Sequence, residues 1–290
     1  MINLFSSLLY YIIIRPISML PFPLLYGFSD FLFFLFYYIF PYRRKVIRQN
    51  LRSSFPEKSA SELKQIEKRF YGHFCDLILE TLKLFSASKA VIEKRVRLVN
   101  PELLNEYYEK GKSVVLVTGH YANWEWPAIT LPSHSKHKGT GIYQKLSNRF
   151  FDRKLRQTRA RFGMELMSTR EVADFFESHI NERCSYGFIN DQSPSDPKKG
   201  HWGTFLNQPT SMLTGAERYA VKYDYPVLHA AITREKRGHY KIEYILVSEK
   251  PSIEKPFFIT EESSRINEVL IRKDPAYWLW THRRWKHKII

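Results

Sequence analysis

The sequence predicts an α/β fold: a mainly parallel central sheet flanked by helices, with an N-terminal hydrophobic membrane-anchoring helical segment ahead of it. Three observations carry that prediction. Residues 113–118 (SVVLVT) form a short β-branched run without polar alternation, the pattern of a strand buried on both faces of a parallel sheet. Strand-like and helix-like segments alternate from there to residue 247. Residues 1–40 carry only Arg15 and Asp30 as charges.

The apolar segment comes first in the chain. Residues 24–40 (LLYGFSDFLFFLFYYIF) are almost continuously aromatic and aliphatic, at the short end of the roughly 17–25 residues a spanning helix needs. Pro16, Pro21 and Pro23 interrupt the stretch. A span, a re-entrant hairpin and an interfacial anchor all satisfy this pattern. A cleaved signal peptide does not, because no positive segment precedes the first apolar run and no small-x-small cleavage site precedes the basic cluster. That cluster, Arg43, Arg44, Lys45 and Arg48, keeps the remainder of the chain on the cytoplasmic side by the positive-inside tendency and suits anionic phospholipid head groups. The expected organisation is a membrane-anchoring segment, 1–41, and one further domain, 42–290.

A helix is predicted after Pro56. Ser59 and Glu62 match a capping box, and Leu63, Ile66, Phe70, Phe74, Leu77, Ile78, Leu82 and Phe85 recur at helical spacing. His73 and Cys75 within it read as ordinary helix residues. Strands are expected at 113–118, 139–143, 186–190, 227–232 and 240–247, with helices near 150–162, 172–181 and 211–223. The Lys236-Arg237-Gly238-His239 link reads as a hairpin turn, which would set the last strand antiparallel to its predecessor.

Composition narrows the function. The 290 residues are 44% apolar and 16% aromatic, which excludes a disordered tail or a collagen-like rod. Cys75 and Cys184 stand alone, without a C-x-x-C or Cys/His spacing, so neither a disulfide framework, a structural zinc nor a redox pair is indicated. Lys and Arg number 45 against 29 Asp and Glu, a formal charge of +16. That excess calls for nucleic acid, an anionic membrane surface or an acidic protein as partner, and the apolar N-terminus favours the membrane. On charge alone, a non-enzymatic basic membrane or nucleic-acid binding protein would also fit.

In an open α/β sheet, functional groups gather at the carboxyl ends of the strands. Directly after 113–118 comes Gly119-His120-Tyr121-Ala122-Asn123-Trp124-Glu125. On a regular helix His120 and Glu125 would stand about 140° out of phase. They meet only if His120 sits in the turn and Glu125 on the helix it leads into. Such a pair suits general-base chemistry: a neutral imidazole takes a proton from a hydroxyl while a carboxylate fixes its tautomer and stabilises the imidazolium. The spacing is not that of a zinc site. Asp191, at the end of the strand at 186–190, is the second polar candidate, ahead of a Ser/Pro/Asp loop.

Residues 114–125 (VVLVTGHYANWE) resemble the catalytic block of the bacterial late acyltransferases of lipid A biosynthesis. Residues 48–56 (RQNLRSSFP), Asp191-Gln192 and the closing block 275–286 (PAYWLWTHRRWK) resemble further segments of that family in the same order, so the likeness covers nearly the whole chain. It implies transfer of a fatty acyl chain from acyl carrier protein to a hydroxyl of a lipid A precursor at the cytoplasmic face of the inner membrane. It also implies no cofactor, metal or nucleic acid. Another lipid acceptor would leave the chemistry unchanged. By motif, His120 is the general base and Glu125 its orienting partner; Asn123, Arg159, Arg161, Asp191, Gln192, Arg283 and Arg284 are the candidate substrate-binding residues. The family's functional arginine corresponds to Arg159 or Arg161. Ala122 stands where the family commonly has Gly, and Phe205, Pro209 and Thr210 match a segment expected to shape a pocket wall. The Trp- and Arg-rich tail from Tyr277 to Lys288 also suits a membrane–water interface.

Overall fold

The computed structural model describes residues 2–287, so Met1 and, in the basic tail, Lys288 lie outside it. Among the described residues nine strands occur in chain order: β1 (Val96–Leu98), β2 (Val114–Thr118), β3 (Lys138–Tyr143), β4 (Glu165–Ser168), β5 (Cys184–Ile189), β6 (His201–Phe205), β7 (Gln208–Met212), β8 (Val227–Lys236) and β9 (His239–Ser248). Seven form one sheet in the order β1-β9-β8-β2-β5-β3-β4, and β6 with β7 forms a separate hairpin. All neighbouring pairs in the large sheet are parallel except β8 with β9, the hairpin the Lys236–His239 link predicts.

β2 lies at the centre, which explains its unbroken apolar run. Val114 and Leu116 face one layer of helices, and Val115 and Val117 face the other, all buried. The first layer includes the helices Ala60–Lys83 and Glu125–His134; the second is formed by Gly215–Tyr223 and Phe258–Lys273. The Ala60–Lys83 helix begins at the predicted capping box: Ser59 Oγ accepts from the Glu62 N–H at 3.3 Å, and Glu62 Oε2 accepts from the Ser59 N–H at 2.8 Å.

Four short strands escape the sequence reading, as do the helices Arg44–Ser54, Lys89–Glu93, Glu102–Glu109 and Phe258–Lys273. β1 and β4 have three and four residues, too few to show a period. β6 and β7 replace the start of the helix expected at 211: Ser211 and Met212 belong to β7, and the helix begins at Gly215. A turn at Leu206 and Asn207, both with positive φ, closes that hairpin.

The apolar N-terminus folds as helical segments broken at Leu20 and Pro21, the second running through Phe22–Ile39. Phe22–Ile39 is long and apolar enough to cross a membrane, and Leu24, Phe28, Phe31 and Phe34 of it are exposed. Its opposite face packs on the Ala60–Lys83 helix. There Tyr26 donates to Glu80, and Ser29 to Asp76, each at 2.8 Å, while Asp30 pairs with Arg237 at 2.6 Å. The expected boundary at 41/42 is therefore crossed by buried polar contacts. Of the basic cluster beyond it, Arg44 and Arg48 pair with the buried Glu67 at 3.1 and 2.7 Å, and Arg43 donates to the Thr281 carbonyl.

Candidate active site

β2 and β5 are paired in parallel so that Thr118 lies opposite Ile189. His120 and Asp191 each follow their register partner by two residues, so the two strand ends deliver them side by side. Asp191 Oδ1 accepts from His120 Nδ1 at 2.6 Å; Oδ2 accepts from the His120 backbone N–H at 2.7 Å and from Trp278 Nε1 at 2.8 Å. An ionised carboxylate only accepts, so the shared proton belongs to Nδ1, which leaves Nε2 with its lone pair. Gln192 Nε2 faces that lone pair at 3.2 Å. Burial pushes the Asp191 carboxyl up. The positive charge the His120 ring carries when protonated, with the hydrogen bonds from the ring, Trp278 and the backbone, outweighs it and leaves the carboxyl at about 2. Asp191 therefore stays ionised at neutral pH.

Glu125 opens the Glu125–His134 helix, as expected, but its carboxylate is held by Arg159. Arg159 Nη2 donates to Oε1 at 2.6 Å and Nε to Oε2 at 3.1 Å, a two-pronged pairing. The hydrogen bond to His120 that the motif assigns to Glu125 is made by Asp191, because the His120 ring turns its Nδ1 toward β5. The choice between the two arginines follows from helix geometry. Two residues on a helix stand about 200° apart, so only one of Arg159 and Arg161 can face Glu125. Arg161 instead caps the carbonyls of Leu84 and Ala87 at 2.7 and 3.0 Å.

Two more expected substrate contacts, Asn123 and Arg284, are corrected. Asn123 has no exposed surface and both ends of its amide are used: Nδ2 donates to Glu80 at 2.7 Å, and Oδ1 accepts from the N–H groups of Glu125 and Trp126. It caps the helix that carries Glu125. Arg284 is buried, donating to the Ser211 carbonyl of β7 at 2.7 Å, so it braces the β6–β7 hairpin, while Arg283 is exposed to solvent. Elsewhere in the tail, His282 and Lys286 line the same cavity as His120. Trp278 and Trp280 are buried, and His282 Nε2 accepts from the Ser193 N–H at 3.1 Å.

The turn between His120 and Glu125 is fixed by groups the sequence does not advertise. Ala122 has φ of 53°, a left-handed conformation that Gly adopts far more readily than a residue with a Cβ. Its N–H donates to the Tyr277 carbonyl at 2.8 Å, and its carbonyl accepts from His73 Nε2 at 3.2 Å. Seven residues on, along the same face of the Ala60–Lys83 helix, Glu80 accepts from Tyr26, Asn123 and Tyr240 at 2.8, 2.7 and 2.6 Å. Burial pushes the Glu80 carboxyl up to about 7 against those donors. Burial and the neighbouring Arg234 charge hold His73 down at about 3, so it is neutral. The available signal was spacing: His73, Asp76 and Glu80 fall at i, i+3 and i+7, polar residues on the helix face that also buries Phe70 and Leu77.

A cavity of about 870 Å³ joins His120, Glu125, Arg159 and Gln192 to apolar side chains over the sheet, among them Leu116, Ile129 and Met164. An ionised acid orienting a histidine, an arginine held by a carboxylate and an apolar slot together suit transfer of an acyl chain to a hydroxyl. The sequence model of the family described as bacterial lipid A biosynthesis acyltransferase matches residues 1–287. The chain belongs to that family. It is also 24% identical over 277 residues to the lipid A biosynthesis acyltransferase of Haemophilus influenzae, covering 94% of this chain and 87% of the relative. Membership makes the chain an acyltransferase of lipid A synthesis.

Proposed function

We propose that the chain transfers a fatty acyl group from acyl carrier protein to a hydroxyl of a lipid A precursor, with His120 as general base and Asp191 as the carboxylate that orients it. The observation that carries this reading is the Asp191–His120 pair, which leaves the Nε2 lone pair in a cavity with an apolar extension. The acceptor hydroxyl replaces the Gln192 amide at Nε2 and gives up its proton there. Its oxygen bonds to the thioester carbonyl carbon, and the tetrahedral oxyanion collapses by breaking the carbon–sulfur bond. The departing thiolate takes the proton back from Nε2, so an ester and a free carrier thiol leave the site. Arg159, held by Glu125, supplies the positive charge that stabilises the oxyanion.

The formal charge of +16 supports an acidic carrier protein as donor. The exposed apolar face of Phe22–Ile39 supports an acceptor met at the membrane, and we assign the protein to the cytoplasmic face of the inner membrane with anionic phospholipid beneath it. The test is incubation of the purified full-length chain in detergent with acyl-loaded carrier protein and an under-acylated lipid A precursor, read by mass spectrometry. A product heavier by one acyl chain, absent with His120→Ala, is expected. No acylation of this precursor, with acylation of another membrane lipid, would move the reading to that acceptor; no transfer to any lipid would overturn it.

A further inference from the structure

The cross-strand row that contains Leu116 points to a device for measuring the acyl chain. Leu116 of β2 pairs with Gly187 of β5, Gly187 with Gly141 of β3, and Gly141 with Leu166 of β4. Register partners point to the same face of a sheet, and all four line the cavity. Two adjacent strands thus present no side chain, leaving a trough between Leu116 and Leu166 about three strand spacings, ~14 Å, apart in backbone terms. A glycine inside a strand weakens it and marks a place where another group approaches closely. Here two lie directly opposite each other.

The neighbouring glycine shows the contrast. A Cβ at Gly139, two residues before Gly141 and on the same face, would meet Met164 Sδ and Pro132 Cγ at 3.1 Å, so that space is already filled. A Cβ at Gly141 would meet only the tips of Leu166 and Met164, at 3.3 and 3.5 Å; at Gly187 it would meet only the Thr140 carbonyl oxygen, at 3.1 Å. The trough therefore runs from the carboxyl end of β2, where His120 stands, down the sheet face to the Gly141–Gly187 row, and Met164 with Pro132 closes it one row further on. About 13 Å of strand separates residue 120 from the Leu116 row.

We propose that Gly141 and Gly187 floor the acyl-chain slot, and that Gly141 with the Met164 plug sets the length of chain accepted; this rests on the acyl-transfer reading above. Gly141 is the position to change, because an added side chain there meets flexible tips rather than backbone. Filling the trough shortens the best chain by about two methylenes, and each methylene that loses its contacts lowers the rate by about fourfold. Shortening the plug acts in the opposite sense.

The experiment measures transfer by the full-length protein from carrier protein loaded with decanoyl to palmitoyl chains, for wild type, Gly141→Ala, Gly141→Val and Met164→Ala. The expected result is a profile displaced to shorter chains by Gly141→Val, less so by Gly141→Ala, and to longer chains by Met164→Ala. An active variant with the wild-type chain profile would overturn the proposal, and if Gly141→Val does not fold, Met164→Ala decides it alone. Absence of transfer by wild type with every donor would instead defeat the acyl-transfer reading on which it stands.

Discussion

Tyr26, in the apolar N-terminal helix, donates its hydroxyl hydrogen bond to Glu80 at 2.8 Å, and Glu80 in turn holds Asn123 in the turn between His120 and Glu125. The segment that reads as an anchor is thereby tied to the base of the active site. Tyr26 supplies one of three donors to a carboxylate with no exposed surface.

Deleting residues 1–40 should leave Glu80 and Asp76 short of partners and uncover the apolar face of the Ala60–Lys83 helix. The expected outcome is an aggregated or unfolded chain rather than a released, active enzyme. Tyr26→Phe, a gentler change, should cost about 1–2 kcal/mol in detergent-solubilised protein. Circular dichroism and turnover of the truncated chain check this: a folded, active product would show that the segment is a separable anchor.

The Glu80 carboxyl, at about 7 when folded against 4.5 when free, makes stability depend on pH. The folded state holds this proton more tightly than the unfolded state. Its contribution, on the order of 3 kcal/mol, is present in full below pH about 4.5 and is lost as pH rises through about 7. Asp191 contributes in the opposite sense and outside that window, losing its stabilisation only as pH falls through about 2. Buried His73, His229 and His282, held at about 3, 4 and 4, add stability as pH rises to about 6.5 in both proteins, so the urea midpoint of wild type minus that of Glu80→Gln is the quantity that should fall between mildly acidic and neutral pH. Parallel slopes would sink the assignment.

Asp191→Asn keeps the shape of the side chain but can present its amide to Nδ1 and so favour the wrong tautomer of His120. The rate should drop by about 10³–10⁴, with His120→Ala as severe and the double variant no worse than either alone. Single-turnover transfer rates measure this. Additive losses would mean that the two residues act separately.

Glu125 holds Arg159, so on the proposed mechanism Glu125→Gln should lower kcat while leaving donor KM nearly unchanged, as Arg159→Lys should. Because the two side chains form one unit, their double-mutant cycle should show a coupling energy of about 1–3 kcal/mol. A normal rate in both single variants would show that the pair is structural only.

Ala122, at φ of 53° and fully buried, should tolerate Gly within about 1 kcal/mol, since relief of the left-handed conformation offsets the lost methyl. A β-branched side chain fits that conformation poorly, and Ala122→Val should cost several times as much and misplace His120. Thermal denaturation with parallel activity assays distinguishes the two substitutions. Equal stability of the Gly and Val variants would show that the turn is not constrained here.

The sequence by itself determined the features that depend on neighbours along the chain. The β2 run, the Ser59–Glu62 capping box, the Lys236–His239 hairpin and the position of His120 at a strand end come from periodicity, caps and turn residues within a few positions. Which carboxylate meets His120 is a different kind of fact. Asp191 is 71 residues away, and only the parallel register of β2 with β5 brings it there. The choice of Arg159 over Arg161 and the support of the turn by His73 and Glu80 depend likewise on helices packed against the sheet from distant parts of the chain. The row of Gly187 and Gly141 has the same origin, since two strands must pair before two glycines can make one trough. Local propensity sets where chemistry-bearing residues lie along the chain, but long-range strand register and layer packing choose their partners, and only the tertiary structure contains them.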